Sequence, residues 1–143
     1  MTDVYVNGLP KTGTHFAEKV MYLLHLEPYT LHFPYQDIEL DRKMIFMKRD
    51  PRQVLASLCK HRDGELNPKT IIHRMHNHNA FMLFGMPENI GISDFWNLLE
   101  GWIDDDQCLT VDFDVLNSGD TSSIQKYLGV EDINIEGKIH GDS

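Results

Sequence analysis

The 143-residue chain is poor in cysteine, in long apolar runs and in positive charge. Cysteine occurs only as Cys59 and Cys108. Two thiols so far apart make neither a disulfide framework nor a thiolate metal site, so both are expected to be buried in a protein of a reducing compartment. No stretch holds 18 consecutive apolar residues, and Met1-Thr2-Asp3 leads into a short β-prone run without a basic n-region. Neither a membrane span nor a secretory leader is therefore expected. Lys and Arg number 13 against 22 Asp and Glu, a net charge of −9 at pH 7. Such a surface opposes broad binding to nucleic acid or anionic membrane, and any anionic ligand needs a locally basic site. The rest is ordinary globular material, 41% hydrophobic and 24% charged. Residues 1–143 are expected to fold as a single soluble, cytoplasmic domain.

Val4, Tyr5 and Val6 form a strand-like run that enters the turn-rich stretch Asn7 to Thr14. From Thr14, apolar Phe16, Val20, Leu23 and Leu24 fall on one helical face, and that helix should stop before Pro28. A short segment, Tyr29 to Phe33, ends at Pro34. Met44-Ile45-Phe46-Met47 is a continuous apolar run typical of a buried parallel strand. Asp50-Pro51 pairs a favoured N-cap with a favoured first helical residue, so a helix over Arg52 to about His61 should turn Val54, Leu55 and Leu58 inward. Further helices are expected over Lys69 to Phe84, over Asp94 to Ile103 behind a Ser93 cap, with Phe95, Leu98, Leu99 and Trp102 on one face, and over Ser122 to Leu128 with Gly129 as C-cap. Cys108 to Phe113 alternates like a strand. Strands alternating with helices predict a three-layer α/β fold with a mainly parallel sheet.

Gly8 to Gly13 has the GxxxxG spacing of a phosphate loop, but Thr14-His15 follows where a Walker A motif has Lys and Ser or Thr. A standard ATPase or GTPase is thereby excluded. The physical logic of the loop survives, because a glycine-containing turn at a helix N-terminus offers backbone N–H groups and a positive dipole end to an anion, and Lys11 adds charge. An ordinary strand-to-helix turn with a surface lysine has the same local pattern. The second junction adds weight. Seven basic residues lie between Arg42 and Arg62 against one acid, Asp50, which is over half of the chain's positive charge. Arg49 stands at the C-terminal end of the apolar strand, where open α/β sheets bind ligands. His73, His76 and His78 are not on one helical face and are read as non-metal residues.

Taken together, the two junctions resemble the sulfotransferases that use 3′-phosphoadenosine-5′-phosphosulfate (PAPS). Pro10-Lys11-Thr12-Gly13-Thr14-His15-Phe16 is similar to that family's PKSGTTW loop for the 5′-phosphosulfate. Arg49-Asp50-Pro51-Arg52-Gln53-Val54-Leu55-Ala56-Ser57 is similar to its RNPKDVLVS element, whose first Arg and last Ser hold the 3′-phosphate. Thr30-Leu31-His32-Phe33-Pro34 resembles the segment THLP, whose His is the catalytic base. Trp102, the strand Leu109 to Phe113 and Ile124 to Val130 resemble the family's later core more weakly, and Gly137 to Asp142 faintly resembles its RKGxxGDW clamp without the Arg and Trp. Phe16 stands where the family has Trp, leaving an aromatic face for adenine, and His15 replaces a Thr hydroxyl with a ring N–H.

The resemblance implies a P-loop NTPase-like fold and transfer of a sulfuryl group from PAPS to a hydroxyl or amine acceptor, releasing 3′,5′-adenosine bisphosphate (PAP) without a metal. It implies His32 and Lys11 as catalytic residues, and Pro10, Lys11, Thr12, Gly13, Thr14, His15, Phe16, Arg49 and Ser57 as cofactor-binding residues. Family members are longer, so the acceptor site is expected to be an open groove beside the Lys69 to Phe84 and Ser93 to Ile103 helices. Two alternatives stand beside this reading: a non-catalytic PAP- or nucleotide-binding protein, and a P-loop kinase.

Overall fold

The computed structural model describes residues 3–9, 12–60, 64, 67–69, 92–130, 135 and 138. These contain four strands, β1 (Asp3–Gly8), β2 (Glu27–Leu31), β3 (Met44–Lys48) and β4 (Cys108–Asp112). The helices are α1 (Thr14–Leu23), α2 (Pro51–Leu58), α3 (Ile92–Leu99), α4 (Phe113–Asn117) and α5 (Ser122–Leu128), with a 3₁₀ turn at Glu100–Asp104. The sheet runs β2-β1-β3-β4 and every pairing is parallel, with Val6 beside both Thr30 and Ile45, and Phe46 beside Thr110.

Both faces of the sheet are covered, because alternate strand residues point to opposite sides. Val4, Val6, Ile45, Met47 and Val111 pack with Ala17, Val20 and Met21 of α1 and with Leu116 and Ile124. Met44 and Phe46 pack the other way, with Val54 of α2, Leu99 of α3 and Trp102. Met44 to Met47 are all fully buried, as a strand covered on both faces requires. The result is an α/β architecture compatible with a three-layer fold.

Local chemistry accounts for several element ends. The Asp50 carboxylate accepts from Arg52 N–H with Pro51 in the first turn of α2, and Gly129 closes α5 at φ +69°. Other boundaries move. Strand β2 begins at Glu27 and takes in Pro28, which an edge strand tolerates because its outer N–H side has no partner to lose. Helix α2 spans Pro51–Leu58 and passes into a π turn at Cys59 and Lys60, in line with the expected end near His61, but Leu55 is only half-buried. Helix α3 starts at Ile92, so Ser93 lies inside it and not before it, and the chain tightens into the 3₁₀ turn from Glu100. Leu99 and Trp102 are buried on that stretch, whereas Leu98 is 41% exposed. Phe113 opens α4 and does not end β4, because the Asp112 carboxylate caps the new helix by accepting from Asp114 N–H. Cys59 is buried but Cys108 only half so. Burial and the nearby Asp105 charge still push the Cys108 thiol up to about 12, which keeps it protonated. Apart from Lys69 the expected helix Lys69 to Phe84, with the three histidines in it, and apart from Lys138 the Gly137 to Asp142 tail lie outside the described residues.

Candidate functional site

The sheet order creates a switch point. From β1 the chain moves to β2 on one side, then crosses back to β3 on the other. A crevice at the carboxyl ends of β1 and β3 is where open α/β sheets place ligands. Both junctions singled out from the sequence end there, at Gly8-Leu9 and at Lys48-Arg49.

The first junction is shaped by close approach. A Cβ on Gly8 would stand 2.9 Å from the Met47 carbonyl oxygen and 2.7 Å from Thr12 Oγ1, so only glycine lets the two strand ends meet. Thr12 is fully buried and its hydroxyl donates to the Leu9 carbonyl at 2.6 Å, so that hydroxyl braces the loop and is not offered to a ligand. Gly13 is the N-cap of α1 at φ +93°, and among the described residues no side chain caps the helix. Its first turn also carries no acid. The backbone N–H groups of that first turn carry the positive end of the helix dipole. Thr14 is buried at the start of α1; His15 is exposed, its Nδ1–H donating to Glu18 Oε2 at 3.0 Å. Pro10 and Lys11 lie outside the described residues.

Phe113 joins the two junctions. The Arg49 guanidinium carbon lies 4.3 Å from the centre of its ring, a cation–π stack, and Arg49 Nε donates to Gln53 Oε1 at 3.3 Å. Phe16 meets the same ring edge-on at 6.2 Å and 69°. A Cβ on Gly13 would come within 2.5 Å of Phe113 Cδ2. Gly13, Phe16 and Arg49 thus share one aromatic neighbour from the end of β4. Sequence reasoning placed Phe113 in a strand and missed this role; its position just past a strand's carboxyl end was the available signal. Ser57 stands half-buried on α2, and among the described residues no hydrogen bond ties it to this group.

His32 is held from the opposite side of Gly8. Its Nδ1 lies 2.7 Å from the Gly8 carbonyl oxygen, which only accepts, so Nδ1 carries the proton and Nε2 keeps its lone pair. Burial pushes its pKa below 6.5, the Gly8 contact opposes this, and the nearby His15 charge lowers it further. The neutral imidazole is the form this environment favours.

Asn7 fixes the backbone that carries His32. Fully buried, it accepts Gly8 N–H at 2.9 Å and Phe33 N–H at 2.7 Å through Oδ1 and donates through Nδ2 to the Phe33 carbonyl at 3.0 Å. Trp102 Nε1–H donates to the same carbonyl at 2.9 Å. The sequence reading placed Asn7 in a turn and passed over this role. Its polar side chain inside a run of buried β1 residues was the sign that a partner must exist.

Among the described residues, no three His, Cys, Asp or Glu side chains come together to hold a metal ion, and no helix is long and apolar enough to cross a membrane. Compared with known families and with characterised proteins, the sequence matches no family model and no characterised relative.

Proposed function

We propose that this chain is a PAPS-dependent sulfotransferase built on a P-loop NTPase-like sheet. The convergence of Gly13, Phe16 and Arg49 on Phe113 at the switch point carries the reading. The donor set suits a nucleotide with two anionic groups. One can meet the uncapped N-terminus of α1 and the other the Arg49 guanidinium, with aromatic rings between them for a base. PAPS, when bound, supplies an activated sulfuryl group.

The chain's own residues have separable roles. His32 takes the acceptor's proton at Nε2, because Nδ1 is committed to Gly8 and the ring is neutral near pH 7. Lys11 and the N–H groups of Gly13 and Thr14 stabilise negative charge growing on the leaving phosphate oxygen, whereas Thr12 N–H, expected to join them, already donates to the Leu9 carbonyl at 3.3 Å. Arg49 and Ser57 retain the 3′-phosphate.

The first test compares PAP, ATP and ADP by thermal shift. PAP should raise Tm most; a larger shift with ATP or ADP refutes PAP specificity and favours a kinase. The second measures sulfate transfer in His32→Ala and Lys11→Ala. His32→Ala should lose about 10²–10⁴-fold in rate with PAP affinity unchanged, whereas Lys11→Ala should lose both rate and affinity. Full turnover in His32→Ala with loss in His15→Ala, both still binding PAP, makes His15 the base. Tight PAP binding without transfer to phenols, sterols, oligosaccharides or amines supports a non-catalytic nucleotide-binding protein.

A further inference from the structure

On the sheet face that carries Met44 and Phe46, the chain from Phe33 to Asp41 passes over the strands and bounds a cavity of about 290 Å³. Tyr5 of β1, Leu31 of β2 and Met44 of β3 form one wall, and Phe33, Ile38 and Leu40 the other. That is about ten waters' worth of volume, the size of a single-ring molecule.

The covering chain is tied at both ends. Tyr35 N–H donates to the Leu98 carbonyl at 2.6 Å. Gln107 brackets the other end: its Oε1 accepts Leu40 N–H at 2.6 Å and its Nε2 donates to the Ile38 carbonyl at 2.9 Å. Tyr5 O–H donates to Asp41 Oδ1 at 2.7 Å. Ile38 remains 43% exposed, an apolar side chain held at the cavity and still wet. A preformed apolar hollow with few polar groups is the usual form of a small-molecule site.

Charge selects the ligand. Glu39 and Asp41 line the cavity and are solvent-exposed. The adjacent cations are committed elsewhere. Arg42 pairs with Asp3 at 3.4 Å and lies over the Tyr5 and Tyr29 rings, and Lys43 Nζ donates to the Tyr127 carbonyl at 2.6 Å. Among the described residues no salt bridge reaches Glu39 or Asp41.

We infer that this cavity binds a compact amphipathic cation, its ring among Leu31, Phe33, Leu40 and Met44 and its ammonium at Glu39 and Asp41. The cavity shares no residue with the nucleotide site, so the inference stands apart from the sulfotransferase reading and its test needs neither nucleotide nor turnover.

The test is a ¹⁵N-¹H NMR titration of the whole chain with 2-phenylethylamine, the isosteric 2-phenylethanol and phenylacetate. The amine should shift the amides of Leu31, Phe33 and Ile38 to Asp41, the alcohol should bind at least about tenfold more weakly, and phenylacetate weakest of all, because only the amine gains charge-assisted contacts. Glu39→Gln/Asp41→Asn, on the surface and with folding verified by its own spectrum, should erase the amine's advantage and leave the alcohol's affinity unchanged. Shifts centred elsewhere, phenylacetate binding as tightly as the amine, or an amine preference that survives in the double variant would each overturn the inference.

Discussion

Asn7→Ala removes the clip between β1 and the backbone on which His32 sits. Phe33 N–H loses its acceptor at 2.7 Å, and the Phe33 carbonyl keeps only Trp102 Nε1–H. An unsatisfied buried polar group costs about 1–3 kcal/mol, and the void left by a fully buried amide adds to it, so a loss of about 2–4 kcal/mol is expected. Asn7→Asp isolates the donor half of the clip. A carboxyl group still accepts from Gly8 and Phe33 N–H, but its second oxygen faces the Phe33 carbonyl and can donate only when protonated. Burial and that carbonyl raise the folded-state pKa above the unfolded value of about 3.9. With the folded pKa raised, the variant's stability relative to wild type is fully present below about pH 4 and is lost as pH rises through the folded pKa. Urea unfolding of wild type and both variants at pH 4 and pH 7 measures this. Asn7→Ala should lose a similar amount at both values, whereas Asn7→Asp should be much the weaker protein at pH 7 and recover part of the deficit at pH 4. A loss under about 0.5 kcal/mol for Asn7→Ala, or an Asn7→Asp deficit equal at both pH values, would refute the reasoning.

Gly13→Ala places a Cβ against Phe113 at a left-handed φ, and should destabilise by about 1–3 kcal/mol in thermal unfolding. Phe113→Ala should relieve the steric part of that loss, and strict additivity of the two would contradict the contact. The His32 Hε1 resonance should titrate below pH 6.5, as its burial requires; a midpoint above 6.5 would show an imidazolium in place of the neutral ring. Because its folded pKa is lowered, His32 contributes stability present above pH 6.5 and lost as pH falls through the folded value, a dependence that His32→Gln should remove. Arg49→Ala should weaken PAP by on the order of 2–3 kcal/mol in calorimetry and adenosine 5′-phosphosulfate, which lacks the 3′-phosphate, far less. Equal loss for both ligands would mean that Arg49 is not the 3′-phosphate contact.

The buried strand β3, the start of α2, the end of α5 and the two strand-to-helix junctions were legible in the sequence because their causes are local. Met44 to Met47 form a strand by continuous apolarity, Asp50-Pro51 starts a helix by capping, and Gly129 ends one by its left-handed φ. Each of these rests on residues a few positions apart. The first helix does stop before Pro28, at Leu23, but that Pro28 itself belongs to β2 depends on β2 being an edge strand, which only the assembled sheet decides.

The site divides in the same way. The sequence by itself placed Lys11, His32, Arg49 and Ser57 in order along the chain, and it carried a glycine where the loop needs one. Only the tertiary structure set β1 beside β3, so that Gly13 and Arg49 share Phe113, a residue a hundred positions beyond Gly13. It also decided that Asn7 clips Phe33 and that Gly8 sets the His32 tautomer. The physical reason is that periodicity and capping report which side of an element is buried and where it ends. Which distant side chain meets that side depends on the order in which parallel strands pack and on the loops that cross between them, and no local pattern in the chain encodes that order.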